Sequence, residues 1–158
     1  MQLTASYMID RIQIIRLYSL PSGLEALRAE AARQGFMFMD RLVSDWASGA
    51  NTFSCPGECF LGALADDRLV GVAGLNADPY LPKAGVGRVR HVYVLDSWRH
   101  KGIGRALVDR LLNEARGFFG EVRLRTDTDG AAAFYIGCGF SQANDATASH
   151  SLKFVGRN

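Results

Sequence analysis

The residues in this chain whose types and spacing best support chemistry are Arg99, His100, Lys101, Gly102, Ile103, Gly104, Arg105 and Ala106. They follow an extended run, Val92-Tyr93-Val94-Leu95, that stops at the polar turn Asp96-Ser97-Trp98, and they open directly into an amphipathic stretch. Glycine at 102 and 104 removes Cβ atoms that would keep a ligand off the backbone. The first turn of the helix that follows has N–H groups with no partner inside the helix, at the positive end of its dipole. With Arg99, Lys101 and Arg105 around it, the stretch reads as an anion cradle, and a diphosphate is its natural occupant.

Spacing narrows the choice. No Gly-x-x-x-x-Gly-Lys-Ser/Thr run exists, and a dinucleotide fingerprint would need glycine where Leu107 stands. Gly85-x-Gly87 precedes a strand pattern instead of a helix and reads as a turn. What remains is Arg-x-x-Gly-x-Gly after a strand. Downstream comes Ala131-Ala132-Ala133-Phe134-Tyr135-Ile136-Gly137-Cys138-Gly139-Phe140. Together these two segments resemble the GNAT superfamily of acetyl-CoA-dependent N-acetyltransferases, whose pattern is Arg/Gln-x-x-Gly-x-Gly/Ala followed by Ala-x-x-Phe-Tyr-x-x-x-Gly-Phe.

That resemblance implies an acetyl-CoA site in a gap where the sheet splays, between the strands ending at Val94 and Thr126. Backbone groups of Val92, Tyr93 and Val94 would hold the pantetheine arm, and N–H groups from His100 to Arg105, with Ala106 beside them, the pyrophosphate. Thr126, Thr128, Ala131, Phe134 and Tyr135 would complete the wall. Tyr135 stands at the family's tyrosine position, and a phenol of ordinary pKa about 10 suits a general acid toward a departing thiolate. The general base is not written. Arg88 stands where many members carry glutamate, so His91, His150 or an ordered water remain the proton acceptors to consider. The acceptor, an amine on a small molecule or a protein, is not written; Arg88 and Arg90 point to negative charge on or near it, and Phe36, Phe38 and Trp46 are acceptor contacts by analogy. Cys138 would allow a ping-pong route, but direct transfer is the expectation. A non-catalytic acyl-CoA-binding module is the alternative reading.

The elements that must position these residues follow from pattern. A strand is expected over 12–18. A helix should begin at Pro21, with Ser22 as N-cap and Glu25 completing a capping box, and end near Gly35. A second helix carries Phe38, Met39, Leu42, Val43 and Trp46 on one stripe. Strands over 59–65 and 69–75 are joined by the turn 66–68, and a loop over 76–87 leads to a strand over 88–95. The cradle helix presents Ile103, Leu107, Val108, Leu111, Leu112, Ala115 and Phe119 to the core. A strand over 122–126, a short helix over 130–137 capped by Asp127, Thr128 or Asp129, and a final strand over 148–155 complete the order. The fold class is therefore α/β, a mixed sheet of about six or seven strands flanked by helices, in one domain over 1–158 with residues 1–10 as a loose leader.

With 158 residues, 48% hydrophobic and 22% charged, the composition excludes fibre and disorder. A net charge of +2 from scattered bases gives no reason to expect nucleic acid as a partner. No stretch reaches the length of a membrane span or reads as a signal peptide. Three cysteines make no disulfide framework and suggest a reducing compartment, the cytoplasm. Cys55-Pro-Gly-Glu-Cys59 has no second ligand pair at zinc spacing, so no metal is expected. The resemblance allows a homodimer as a partner arrangement, since many such domains pair through sheet edges or loops.

Overall fold

The computed structural model describes residues 11–81 and 83–155, so the expectation for 1–10 lies outside the described residues. A mixed sheet of seven strands runs in the order β1-β2-β3-β4-β5-β7-β6, with helices on its faces. The strands are β1 (Ile12–Arg16), β2 (Cys59–Ala65), β3 (Arg68–Ala77), β4 (Val86–Val94), β5 (Glu121–Leu124), β6 (Ser141–Gln142) and β7 (His150–Lys153). The helices are α1 (Leu24–Arg33), α2 (Phe38–Ser48), α3 (Ile103–Arg116) and α4 (Asp129–Gly137). Every neighbouring pair is antiparallel except β4 and β5, which run parallel.

β2 and β3 are buried along nearly their whole length instead of alternating, because helices cover both faces. A Cβ built on Gly71 would lie 3.2 Å from Leu107 of α3. One on Gly74, three residues on and so on the opposite face, would lie 2.7 Å from the Phe53 ring. That opposite face belongs to α1, α2 and the segment after α2. Asp66 and Asp67 make the β2–β3 turn with φ of 49° and 70°, the double left-handed geometry that suits the twist of a hairpin.

Several boundaries differ from expectation for physical reasons. Ser22 does not cap α1. Gly23 holds the cap position, Leu24 N–H donates to Pro21 O (3.1 Å), and Glu25 turns to Arg28 (2.8 Å) instead of back to the helix start. Arg28 also reaches Asp40 at 2.8 Å and so ties α1 to α2. On α2, Met39 and Leu42 are buried while Val43 is 37% exposed, so Val43 drops out of the stripe. β1 ends at Arg16, although Leu17 N–H still donates to Phe60 O (2.8 Å). Gly87 is not part of a turn: it pairs with Ala77 inside β4, and its missing side chain leaves the place where Phe119 packs, 2.8 Å from a would-be Cβ. Gly85, at φ +83°, is the turn residue. The last strand shortens to His150–Lys153, and the two-residue β6, too short to show periodicity, forms the sheet edge.

Candidate active site

β4 and β5 share only three paired positions, Val86↔Glu121, Gly87↔Val122 and Arg88↔Arg123. Beyond Arg88, β4 runs on to Val94, while β5 stops at Leu124, itself paired with His150 of β7. The edge of β4 from Val89 to Val94 is thus left without a strand on its β5 side. The same stretch carries a bulge: between Gly74↔Arg90 and Val72↔Tyr93, β3 advances two residues and β4 three. His91 absorbs the extra residue at φ 59°. Residues an odd number apart would normally face opposite sides of a sheet. Here Arg90, opposite Gly74, and Tyr93, bonded to α1, share the α1/α2 face.

At the end of β4 a 3₁₀ turn, Asp96–Trp98, leads into the glycine loop. His100 (φ 62°) and Gly102 (φ 84°) take left-handed geometry, and Gly102 is the N-cap of α3. Among the described residues no acceptor is bonded to the N–H groups of His100, Lys101, Gly102, Ile103, Gly104 or Arg105; the first helical bond comes from Ala106 to Gly102 O (3.0 Å). A Cβ on Gly102 would meet nothing within 4 Å, so open space lies over the loop. Unpaired donors, a helix N-terminus and open space fit a diphosphate. His100, Lys101, Arg105 and Ala106 are exposed there, while the side chain of Ile103 anchors the loop in the core.

Arg99, expected among the charges around the anion, points elsewhere. Its Nε donates to Val94 O (2.9 Å) and its Nη2 to Gln34 (3.1 Å), and its guanidinium lies 5.2 Å from the Tyr93 ring centroid. Tyr93 in turn donates to Glu30, which also accepts from Asp96 N–H (3.0 Å). These bonds, together with the nearby positive charge of Arg99, hold the Glu30 carboxyl below its ordinary range against the opposing effect of burial. Arg99 therefore staples the end of β4 and the turn to α1, and Tyr93 can offer the cleft only its backbone.

Across the gap, Thr128 caps α4 by accepting from Ala131 N–H (3.2 Å), so neither Asp127 nor Asp129 serves as the cap. Thr126 N–H donates to Ser149 Oγ (2.9 Å). Phe134 packs against Gly104, 3.4 Å from a would-be Cβ, which brings α4 beside the start of α3. Tyr135 is buried between Phe134 and Phe140, with centroids 5.0 and 5.7 Å away. Burial pushes its pKa above that of an ordinary phenol, and its hydroxyl bonds to no group among the described residues.

This geometry coincides with a match of residues 24–140 to the model of the Acetyltransferase (GNAT) family. The chain belongs to the GNAT family. It is 32% identical over 119 residues to the N-alpha-acetyltransferase RimI of Mycobacterium tuberculosis, an alignment covering 73% of this chain and 75% of that protein. A solved protein from Exiguobacterium sp. 255-15 superposes with a TM-score of 0.81 at 27% identity, over 90% of this chain and 93% of that one. The GNAT protein YhbS of Escherichia coli, solved in complex with CoA, shares the fold with a TM-score of 0.67 at 18% identity, over 90% and 81% of the two chains. As a GNAT acetyltransferase the chain takes acetyl-CoA as its acyl donor.

His91 and His150, the two histidines considered as bases, are both buried. His91 is buried between Phe38 and Phe53 (6.2 and 6.0 Å) with Nδ1 unpartnered, and burial, with help from Arg90 and Arg41, drops its pKa to about 3. His150 is buried on β7 with Nδ1 2.9 Å from Ser149 Oγ. Arg88, expected to face negative charge on or near the acceptor, faces protein groups instead. It is buried against Asp78 (3.4 Å), donates to Thr147 O (2.7 Å) and lies under the Tyr80 ring (4.6 Å).

On the α1/α2 face, beside the bulge, lies a pocket of about 450 Å³ walled by α2, residues 49–58, the end of β3 and Arg90. Phe36, Phe38 and Trp46 are not in its wall: Trp46 packs on Phe53 and Phe60, and Phe38 on His91 and Tyr93. The polar wall residues Asp45, Asn51, Glu58 and Asn76 carried no sequence signal, since they belong to no motif and meet only through the fold. Among the described residues no helix is long and apolar enough to cross a membrane.

Proposed function

We propose that this GNAT acetyltransferase moves the acetyl group of acetyl-CoA directly onto a primary amine. The amine nitrogen bonds to the thioester carbonyl carbon, the C–S bond breaks, and the proton the amine gives up is balanced by the one the thiolate gains. The observation that carries this reading is the row of unbonded N–H groups at 100–105 beside the unpaired edge of β4, with the unpartnered Tyr135 hydroxyl on the α4 side. A phenol is protonated at neutral pH, so Tyr135 can donate to the departing sulfur, while burial, by raising its pKa, makes it a weaker acid than a free tyrosine. Val92 and Val94 lie on the unpaired edge, where an extended arm fits, with Val94 O already accepting from Arg99. Cys138 is buried and its thiol is pushed up in pKa, which favours direct transfer over a covalent acetyl-cysteine. The name of the mycobacterial relative, an N-alpha-acetyltransferase, supports nitrogen as the acceptor atom. Three unbridged cysteines support a cytoplasmic setting.

The test is CoA thiol release from acetyl-CoA across an amine panel, wild type beside Tyr135→Phe. Turnover on an amine, reduced about 100-fold in the variant with acetyl-CoA affinity unchanged, is the expected result. An unaltered rate removes the tyrosine from the mechanism. A second reading, a non-catalytic acyl-CoA-binding module, is favoured by Arg88 at the family's frequent glutamate position and by the neutral, buried His91. Acetyl-CoA binding without turnover on any amine would select it.

A further inference from the structure

The pocket beside the bulge carries unmatched polar groups of both kinds. Arg90, half-buried on β4, and Arg41, exposed on α2, both line it and have no ion-pair partner among the described residues. Among the described residues Asn51 Nδ2 is a buried donor without a partner, and Asn76 Oδ1, on a residue only 6% exposed, is a buried acceptor without one. Of the two carboxylates in the wall, Glu58 is occupied: its Oε1 accepts from Cys55 N–H (3.1 Å) and its Oε2 from Ala77 N–H (2.9 Å). Asp45 lines the pocket with no hydrogen bond or ion pair to its carboxylate among the described residues. Buried polar atoms are nearly always bonded, and two orphans in one wall call for a group the chain does not supply. The position also matters, because Arg90 stands two residues past Arg88, where β4 parts from β5 and the acyl-donor gap begins.

We propose that this pocket takes the acceptor, and that the acceptor is a small zwitterion: a primary amine with a carboxylate or phosphate a few atoms away. Asp45 and Asn76 Oδ1 accept from the amine end. Arg90, Arg41 and Asn51 Nδ2 donate to the anionic end, with the forked guanidinium suited to either anion. The volume suits a small molecule. The inference rests on the acetyl-transfer reading above and adds the substrate class.

The experiment measures kcat/KM for matched pairs: leucine against its decarboxylated amine, and O-phosphoethanolamine against ethanolamine. Wild type is run beside Arg90→Gln and Arg41→Gln, neither of which replaces a group of the transfer machinery. The expected result is a preference of tenfold or more for the anionic member of at least one pair, falling at least tenfold in Arg90→Gln through a raised KM. Which pair responds separates carboxylate from phosphate. Turnover with no preference, or a preference Arg90→Gln leaves intact, overturns the inference while acetyl transfer stands. If no amine turns over, the transfer reading falls, and calorimetry with leucine and O-phosphoethanolamine on the CoA-bound protein decides the inference alone. Binding lost in Arg90→Gln supports it, and no binding overturns it.

Discussion

Asp78→Asn probes whether Arg88 is structural. The Asp78 side chain is fully buried, with Oδ2 3.4 Å from both Arg88 and Arg123, which are 8% and 4% exposed. Arg123 also meets the half-exposed Asp145 at 3.3 Å. The four side chains are neutral together, so removing one negative charge leaves two buried cations facing one partly exposed anion. Asparagine keeps the acceptor that Asp78 Oδ1 offers Tyr80 N–H (2.9 Å), so the turn survives and the charge alone is tested. Breaking a buried pair in this way costs about 3–5 kcal/mol. In a domain of this size that lowers the melting temperature by roughly 6–20 °C. Thermal and urea unfolding of Asp78→Asn, Arg88→Met and the double variant read the effect, and the double variant should lose less than the sum. Arg88→Glu, which restores the family's frequent carboxylate, should be less stable than Arg88→Met, because the new carboxylate faces Asp78. A loss under about 1 kcal/mol for Asp78→Asn, or an Arg88→Glu enzyme that folds like wild type and turns over faster, would refute this reasoning.

Arg99→Gln should weaken acetyl-CoA binding about tenfold by releasing Val94 and Gln34, with an unchanged salt dependence, whereas Lys101→Gln should flatten it. Calorimetry at two ionic strengths separates the two effects. Gly102→Ala forces φ +84° on a residue with a Cβ, at about 1–2 kcal/mol, and should lower the melting temperature by roughly 2–8 °C; an unchanged melt would show that the loop relaxes freely. Because the folded pKa of His91 is depressed, the unfolded chain binds its proton first as pH falls. Its contribution is complete above pH about 6.5 and is lost toward pH about 3, at up to roughly 1.4 kcal/mol per unit. Melting curves from pH 7.5 to 4.5 should slope less for His91→Leu than for wild type, and equal slopes would refute the assignment.

The cradle and α3 were legible because glycine spacing and a 3.6-residue apolar stripe are local, and Ile103, Leu107, Val108, Leu111, Leu112 and Ala115 are all buried as expected. The parallel seam, the bulge and the pocket were not legible, because each depends on how strands distant in sequence meet. A bulge at His91 leaves no compositional mark, yet it decides which side chains share a face. Arg99 misled for a related reason: its charge suggested an anion contact, but the bonds it makes, to Val94 and Gln34, are set by where α1 packs. The capping box at Ser22 failed because Arg28 competes for Glu25 and bridges to Asp40, a partner supplied by another helix.

The three-pair seam between β4 and β5 joins two antiparallel parts of the one sheet, a meander of β1–β4 and a smaller β5–β7–β6 flap. The Asp78–Arg88–Arg123 cluster sits on the last stitch. An extended ligand arm lying along Val89–Val94 would occupy the place of the missing strand and lengthen the suture. Opening of the flap would then be governed by the cosubstrate, and amide exchange in β5 and β7 would slow when acetyl-CoA binds, although neither strand's ladder changes.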